Sequence, residues 1–181
     1  MPSFEGKDIQ DALSELSSIT QIETTFSIIF EKTDTEITGD GALTISRNGD
    51  LDLRVYSLGF LAMELTSQNG RIKSNPLLDR YKKIILTKGL KHSLFWWDTQ
   101  EHAITEEDIG YRLASLGRDV WISKQTLLPQ KQKIYFPEGK ELTVYYDNPV
   151  KEQNIWYQSK MRIEFSRYVV TLLVKKISFG S

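Results

Sequence analysis

The chain has 181 residues, of which 40% are hydrophobic and 11% aromatic, carries a net charge of −1 and contains no cysteine. That length suits a single domain over residues 1–181, with a substantial core or a modest internal cavity. The near-neutral charge argues against a nucleic-acid binder, the absent cysteines exclude disulfides and thiolate chemistry, and no apolar run reaches the roughly 18 residues of a membrane-spanning helix.

The start, Met1-Pro2-Ser3-Phe4, lacks the basic and apolar regions of an export signal. Lys7 to Ser17 is predicted helical: Ile9, Ala12, Leu13 and Leu16 share one face, with charged and polar residues opposite. From Thr24 to Ile45 the period changes to two. Phe26, Ile28 and Phe30, then Ile37, Gly39, Gly41, Leu43 and Ile45, alternate with Ser27, Glu31, Glu36, Thr38, Asp40 and Thr44. Asn48-Gly49 is expected to supply both positive-φ residues of a type I′ turn, after which Leu51, Leu53 and Val55 continue the pattern. In the loop from Ser57 to Phe60, Gly59 alone is expected to make the turn, leaving Leu58 without a local structural duty. Leu61 to Ser67 pairs with Arg71 to Ser74 around Asn69-Gly70, and Pro76 breaks the run. Leu77 to Trp97 reads as helix through Leu77, Leu78, Tyr81, Ile84, Ile85 and Leu86, interrupted at Gly89.

Thr105-Glu106-Glu107-Asp108 reads as a solvated turn or short helix start. Strands then return: Ile109 to Leu116, Asp119 to Lys124, Lys131 to Phe136 and, after a turn at Pro137-Glu138-Gly139, Glu141 to Tyr146. Asn148-Pro149 is expected to open a polar loop reaching Ser159, before Lys160 to Ser166 pairs with Tyr168 to Ile177. About ten strands result, on connections short enough to be antiparallel. The fold class expected is mainly β (α+β): a single open, strongly curved antiparallel sheet, an incomplete β-barrel, with a helical lid over an apolar cavity.

Enzyme chemistry finds no support. Gly39-Asp40-Gly41 starts like a dinucleotide fingerprint but sits inside an alternating strand, where glycines allow curvature or close approach of the helix. His92 and His102 read as surface histidines rather than metal ligands. No serine occupies a nucleophile elbow, Glu106-Glu107-Asp108 reads as a solvated charge run, and the lysine pairs at 82–83, 131/133 and 175–176 form no stripe. The expectation is a protein that is not an enzyme, with no cofactor and no metal. Two apolar features stand out. Leu58-Gly59-Phe60-Leu61 is either folded back over the core rim or exposed as a membrane- or partner-contacting tip. Phe95-Trp96-Trp97-Asp98 is more commonly core packing, and less commonly a cavity mouth or interfacial belt.

The order of these elements resembles the bacterial lipoprotein-trafficking proteins LolA and LolB. The local match is to LolB: Leu53-Arg54-Val55-Tyr56-Ser57-Leu58-Gly59 running into Met63-Glu64-Leu65 looks like a strand leading to a Leu-Gly loop tip and a Glu-Leu strand. The final hairpin, Met161-Arg162-Ile163-Glu164-Phe165 to Leu172-Leu173-Val174-Lys175, is also similar to that family's end. Gln158-Ser159 stands where the family commonly has a proline before the penultimate strand. The resemblance implies an incomplete barrel whose cavity takes the acyl chains of lipoproteins. LolB-like receptors are anchored by a lipidated N-terminal cysteine, which this chain lacks, so an anchor is either removed or never existed.

The expected function is non-enzymatic binding and transfer of lipoproteins in the bacterial envelope, at the periplasmic face of the outer membrane. Burial of each CH₂ supplies about 0.8 kcal/mol of driving force. Expected cavity residues are Phe26, Ile28, Phe30, Leu43, Ile45, Leu53, Val55, Met63, Leu65, Ile134, Phe136, Leu142, Val144, Ile163 and Phe165, around a pocket on the order of a few hundred Å³. Ile9, Leu13, Leu16, Trp96 and Trp97 would form the lid, and Leu58 and Phe60 a membrane or transfer loop. Expected partners are lipoproteins or lipid acyl chains, a periplasmic LolA-like carrier and a membrane surface. The rivals are a lipid-sensing or scaffold module of the same fold that binds a protein partner, and an enzyme acting on a lipid or glycan, for which the sequence offers no acidic or histidine cluster.

Overall fold

The computed structural model describes residues 8–99 and 102–181. The alternation builds one sheet. β1 (Gln21–Lys32) buries Ile22, Thr24, Phe26 and Ile28, β2 (Thr35–Ser46) buries Gly41, Leu43 and Ile45, and β3 (Leu51–Ser57) buries Leu51, Leu53 and Val55. Their registers superpose the apolar positions, Phe26 opposite Gly41 and Leu43 opposite Leu53, so one face is continuous from strand to strand. The other strands are β4 (Phe60–Gln68), β5 (Arg71–Asn75), β6 (Ala103–Glu106), β7 (Gly110–Ser115), β8 (Arg118–Ser123), β9 (Pro129–Tyr135), β10 (Glu141–Glu152), β11 (Ile155–Phe165) and β12 (Tyr168–Gly180). All twelve lie in one antiparallel sheet of order β5-β4-β3-β2-β1-β12-β11-β10-β9-β8-β7-β6. The terminal strands β5 and β6 do not pair with each other, so the curved sheet is an open half-barrel. Register shifts at Thr25/Phe26 and Val55/Tyr56 are bulges of the kind that sharpen curvature.

Two helical pieces cover the concave face. In α1 (Ile9–Leu16) Asp8 caps the N-terminus, its carboxylate accepting the Gln10 amide at 3.1 Å, and Ile9, Ala12 and Leu13 are buried; the predicted start at Lys7 lies outside the described residues. The middle segment is one run of helix: α2 (Arg80–Ile84), capped by Asp79, a π-helical turn (Ile85–Gly89) and α3 (Leu90–Leu94). Gly89 does not interrupt it. A Cβ there would stand 3.4 Å from Leu142 Cδ1, so glycine lets the helix lie close against β10 and β11. Ile85, Leu86 and Leu90 are thereby buried in the trough.

Several local expectations are corrected. At Asn48-Gly49 only Gly49 has a positive φ, 100°, and the Ser46 carbonyl accepts the Gly49 amide, giving a wider loop than a two-residue type I′ turn. Asn69 and Gly70, at φ 50° and 79°, do form the predicted turn. Of Thr105 to Asp108, Thr105 and Glu106 end the edge strand β6 (Ala103–Glu106), whereas Glu107 and Asp108 lie in the exposed turn leading to β7, as expected. The polar loop expected from Asn148 to Ser159 is instead the outer half of the β10–β11 hairpin, turning at Gln153 and Asn154 with φ 51° and 65°. Residues 147–152 are exposed on both faces, so the stretch carries no period-2 apolar signal. Gly41 makes room for a side chain and not for the helix: its Cβ would fall 2.2 Å from Phe26 Cε2. A Cβ on Gly39 would similarly meet backbone, 2.6 Å from the Tyr56 carbonyl oxygen.

The far end of the helical segment is held by buried polar groups. Arg118 donates from Nε to Gln132 Oε1 (2.8 Å), from Nη1 to the Asp98 carbonyl (2.9 Å) and from Nη2 to the Trp96 carbonyl (3.1 Å). Gln132 Nε2 donates to the His92 carbonyl and to the Tyr146 hydroxyl, which itself donates to the Ser93 carbonyl. Carbonyls left over at the helix C-terminus are thus satisfied by side chains of β8, β9 and β10. His92 is not a surface histidine: it is half-buried, and burial, then the Arg118, Lys91 and Lys88 charges, push its pKa down to about 3.

Candidate ligand-binding site

A cavity of about 190 Å³ opens where α2 and the π-helical turn meet β1 to β4. Its wall is apolar. Ile28 and Phe30 come from β1, Val55 from β3, Ala62 and Met63 from β4, and Leu86 from the helix, with Pro76 and Leu78 closing one side. The lining also includes Ile37, Thr38, Gly39, Ser57 and a single charged residue, Lys82. Gly39 contributes by having no side chain where β2 and β3 come close.

Of the residues expected to line a cavity, the structure brings Ile28, Phe30, Val55 and Met63 together here. Phe26, Leu43, Ile45, Leu53, Leu65, Ile134, Leu142, Val144, Ile163 and Phe165 lie in the packed core, which the helical segment fills. Phe136 and Phe165 border a second, smaller cavity of about 100 Å³ with Tyr81 and Ile84. The apolar cavity under α2 is accordingly smaller than the few hundred Å³ expected, because Ile85, Leu90 and Phe95, all fully buried, occupy space that alternation alone left open. Among the expected lid residues, Ile9, Leu13, Trp96 and Trp97 are buried and Leu16 is partly buried, so the Phe95-Trp96-Trp97 run is core packing.

Exposed apolar side chains stand beside lining residues in the chain: Ile37 is itself in the lining, Leu58 follows Ser57, Phe60 precedes Leu61 and Ala62, and Leu77 lies between Pro76 and Leu78. Leu58 is 95% exposed, Phe60 78%, Leu77 88% and Ile37 54%. Leu58 and Gly59 both have positive φ, 52° and 81°, and form the two central residues of the β3–β4 turn. Leu58 therefore does have a backbone duty, and it is ill suited to it, since a left-handed conformation costs a non-glycine residue about 1–2 kcal/mol. An exposed leucine in a strained conformation is disfavoured twice, by water and by its own Cβ.

Sequence reasoning missed the aromatic file beside the cavity. Phe30 and Tyr168 have ring centroids 5.3 Å apart, Tyr168 and Tyr81 6.4 Å, Tyr81 and Phe165 5.6 Å, and Phe165 and Phe136 5.2 Å. The Tyr168 hydroxyl donates to Asp79 Oδ2 at 2.6 Å, and Asp79 Oδ1 accepts the Lys82 amide at 2.9 Å. Desolvation opposes ionisation of Asp79, yet these two hydrogen bonds and the Lys82 charge together hold its carboxyl below the usual range. The Lys140 ammonium bonds the Tyr81 hydroxyl and lies 4.3 Å from that ring's centroid. No spacing in the sequence announces this group, because its members come from β1, α2, β11, β12 and the β9–β10 turn. Among the described residues no cluster of three or more potential metal ligands exists.

This architecture recurs in solved structures. A LolA superfamily protein from Nitrosomonas europaea aligns over 97% of this chain and 95% of its own, with a TM-score of 0.67 at 11% identity. A DUF1329 family protein from Desulfovibrio piger covers 99% and 93% at a TM-score of 0.62 and 10% identity. A domain from Vibrio parahaemolyticus, described as outer membrane lipoprotein-sorting, covers 96% and 91% at 0.54 and 15%. The fold is thus a LolA-type open half-barrel. Neither a family model nor a curated protein matches the sequence.

Proposed function

We propose that the protein is a non-enzymatic carrier or receptor that takes acyl chains of lipids or lipoproteins into the cavity under α2 and passes them on, as a LolB-like component of the bacterial envelope. The observation that carries this reading is the apolar cavity walled by Ile28, Phe30, Val55, Met63 and Leu86, with exposed Leu58, Phe60 and Leu77 close in the chain to its lining residues Ser57, Ala62, Pro76 and Leu78. Each methylene moved from water into it gains about 0.8 kcal/mol, enough to hold a chain segment and little enough to release it. Leu58 and Phe60 are the transfer tip: their exposure is relieved when they enter a membrane surface or meet the donor of the cargo, and the natural setting is the periplasmic face of the outer membrane, with a LolA-like carrier as donor. The outer edges of β5 and β6, unpaired among the described residues, favour the alternative, a module of the same fold that adds a partner's strand to its sheet.

The test is delivery. Purified protein loaded with a fluorescent acylated peptide should release it to liposomes, and Leu58→Glu should reduce that release more than tenfold while leaving circular dichroism and peptide loading unchanged. Unimpaired delivery by the glutamate variant removes the transfer role, and failure of the parent to load any acylated peptide removes the carrier reading itself.

A further inference from the structure

Among the described residues, Lys82 is the one charged side chain in the lining of the apolar cavity under α2. Its ammonium lies 5.4 Å from the Phe30 ring centroid and 5.9 Å from that of Tyr168. Two more cations converge on the same Tyr168 ring, Lys32 at 5.5 Å from the end of β1 and Arg167 at 5.9 Å from the β11–β12 turn. None of the three forms an ion pair with a carboxylate among the described residues. Asp79, the acid built into this corner, is engaged by the Tyr168 hydroxyl and the Lys82 amide, and it attracts the Lys82 ammonium from beyond ion-pair distance. Glu31 and Asp34, next to Lys32 in the chain, are solvent-exposed. Aromatic faces hold the cations in place but satisfy them only weakly, so an arriving anion meets pre-positioned positive charge at the lip of an apolar hole.

We propose that the cavity binds a single-chain amphiphile with an anionic headgroup, its tail between β1–β4 and the helix and its carboxylate or phosphate on Lys82, flanked by Lys32 and Arg167. The proposal rests on the acyl-binding reading above and names its ligand class. Volume sets the tail. A dry cavity of about 150 Å³ accommodates benzene, so 190 Å³ takes a segment of roughly six to eight carbons with the polar end emerging at the mouth. Neutral and cationic heads would find the same tail space without the counter-charge.

Isothermal titration of the intact protein with decanoate, decyl phosphate, decanol, decyltrimethylammonium and inorganic phosphate separates the contributions. The anionic pair should bind roughly tenfold more tightly than decanol at low salt, with decyltrimethylammonium weakest. That preference should vanish in Lys82→Gln and shrink in Lys32→Gln and Arg167→Gln, while decanol binds the Lys32 and Arg167 variants as it binds the parent. Equal affinity for all heads, or loss of decanol binding together with decanoate in Lys82→Gln, overturns the headgroup assignment and leaves the acyl-binding reading standing. Inorganic phosphate binding as tightly as decyl phosphate overturns the tail placement, marking an anion site independent of the cavity. Binding of no decyl compound at all overturns both readings.

Discussion

Replacing Arg118 with methionine tests the idea that side chains of the sheet hold the helical segment in place. The guanidinium is buried and gives three hydrogen bonds, to Gln132 Oε1 and to the Asp98 and Trp96 carbonyls, at 2.8, 2.9 and 3.1 Å. Methionine fills most of the volume and donates nothing. Each buried acceptor left without a donor costs about 1–3 kcal/mol, so the gross loss is about 3–9 kcal/mol. Against this stands the desolvation of a charge that no carboxylate among the described residues neutralises directly: the nearby Asp98 side chain is paired with Arg47 at 2.8 Å, and burial lowers the Arg118 pKa. The net expectation is a loss of about 2–5 kcal/mol, or about 4–20 °C in Tm for a chain of this size. Urea denaturation followed by tryptophan fluorescence measures it directly. Because Gln132 links Arg118 to Tyr146 and to the His92 carbonyl, the Arg118→Met/Gln132→Met pair should lose less than the sum of the single variants. A loss under about 1 kcal/mol for Arg118→Met, or strict additivity in the double variant, refutes the reasoning.

Two further outcomes follow from the packing. His92 is held neutral down to about pH 3, whereas the unfolded chain protonates it near pH 6.5, so its contribution to stability is complete above that value and is lost as pH falls through this window. The parent should lose about 1–2 kcal/mol more than His92→Gln between pH 7 and pH 4.5, and parallel denaturation curves for the two proteins would remove the histidine from the acid response. Gly41→Ala should destabilise by about 1–3 kcal/mol, although alanine ordinarily suits a strand better than glycine, because the new Cβ meets the ring of Phe26, itself only 2% exposed; a neutral or stabilising result in chemical denaturation would show that the ring can move aside.

The sheet was legible wherever one face is buried. Phe26, Leu43 and Leu53 announce their strands by period two, and Asn69-Gly70 announces its turn by the positive φ both residues tolerate. The outer β10–β11 hairpin was illegible for the same reason: with water on both faces, residues 147–152 alternate between nothing and nothing. Cavity position was half legible. Alternation identifies which residues point inward, and Ile28 and Val55 were read correctly as inward, but it cannot tell which of them the helix will press upon. That depends on Gly89, which sets how closely the helix approaches Leu142 and Ile163 and so where the trough is filled. The cluster around Tyr168 was not legible at all, since Lys32, Lys82 and Arg167 meet only after three separate elements have folded.

The missing ladder between β5 and β6 has a mechanical consequence. A closed barrel is a hoop, and its girth is fixed by strand number and shear, so it can enlarge only by breaking backbone hydrogen bonds. Here the hoop is split and the helical segment is the wedge driven into it. Backing the wedge out sacrifices side-chain contacts but leaves all eleven inter-strand ladders intact. The wall can therefore spread like a clip, with the seating of one helix setting how wide the trough stands.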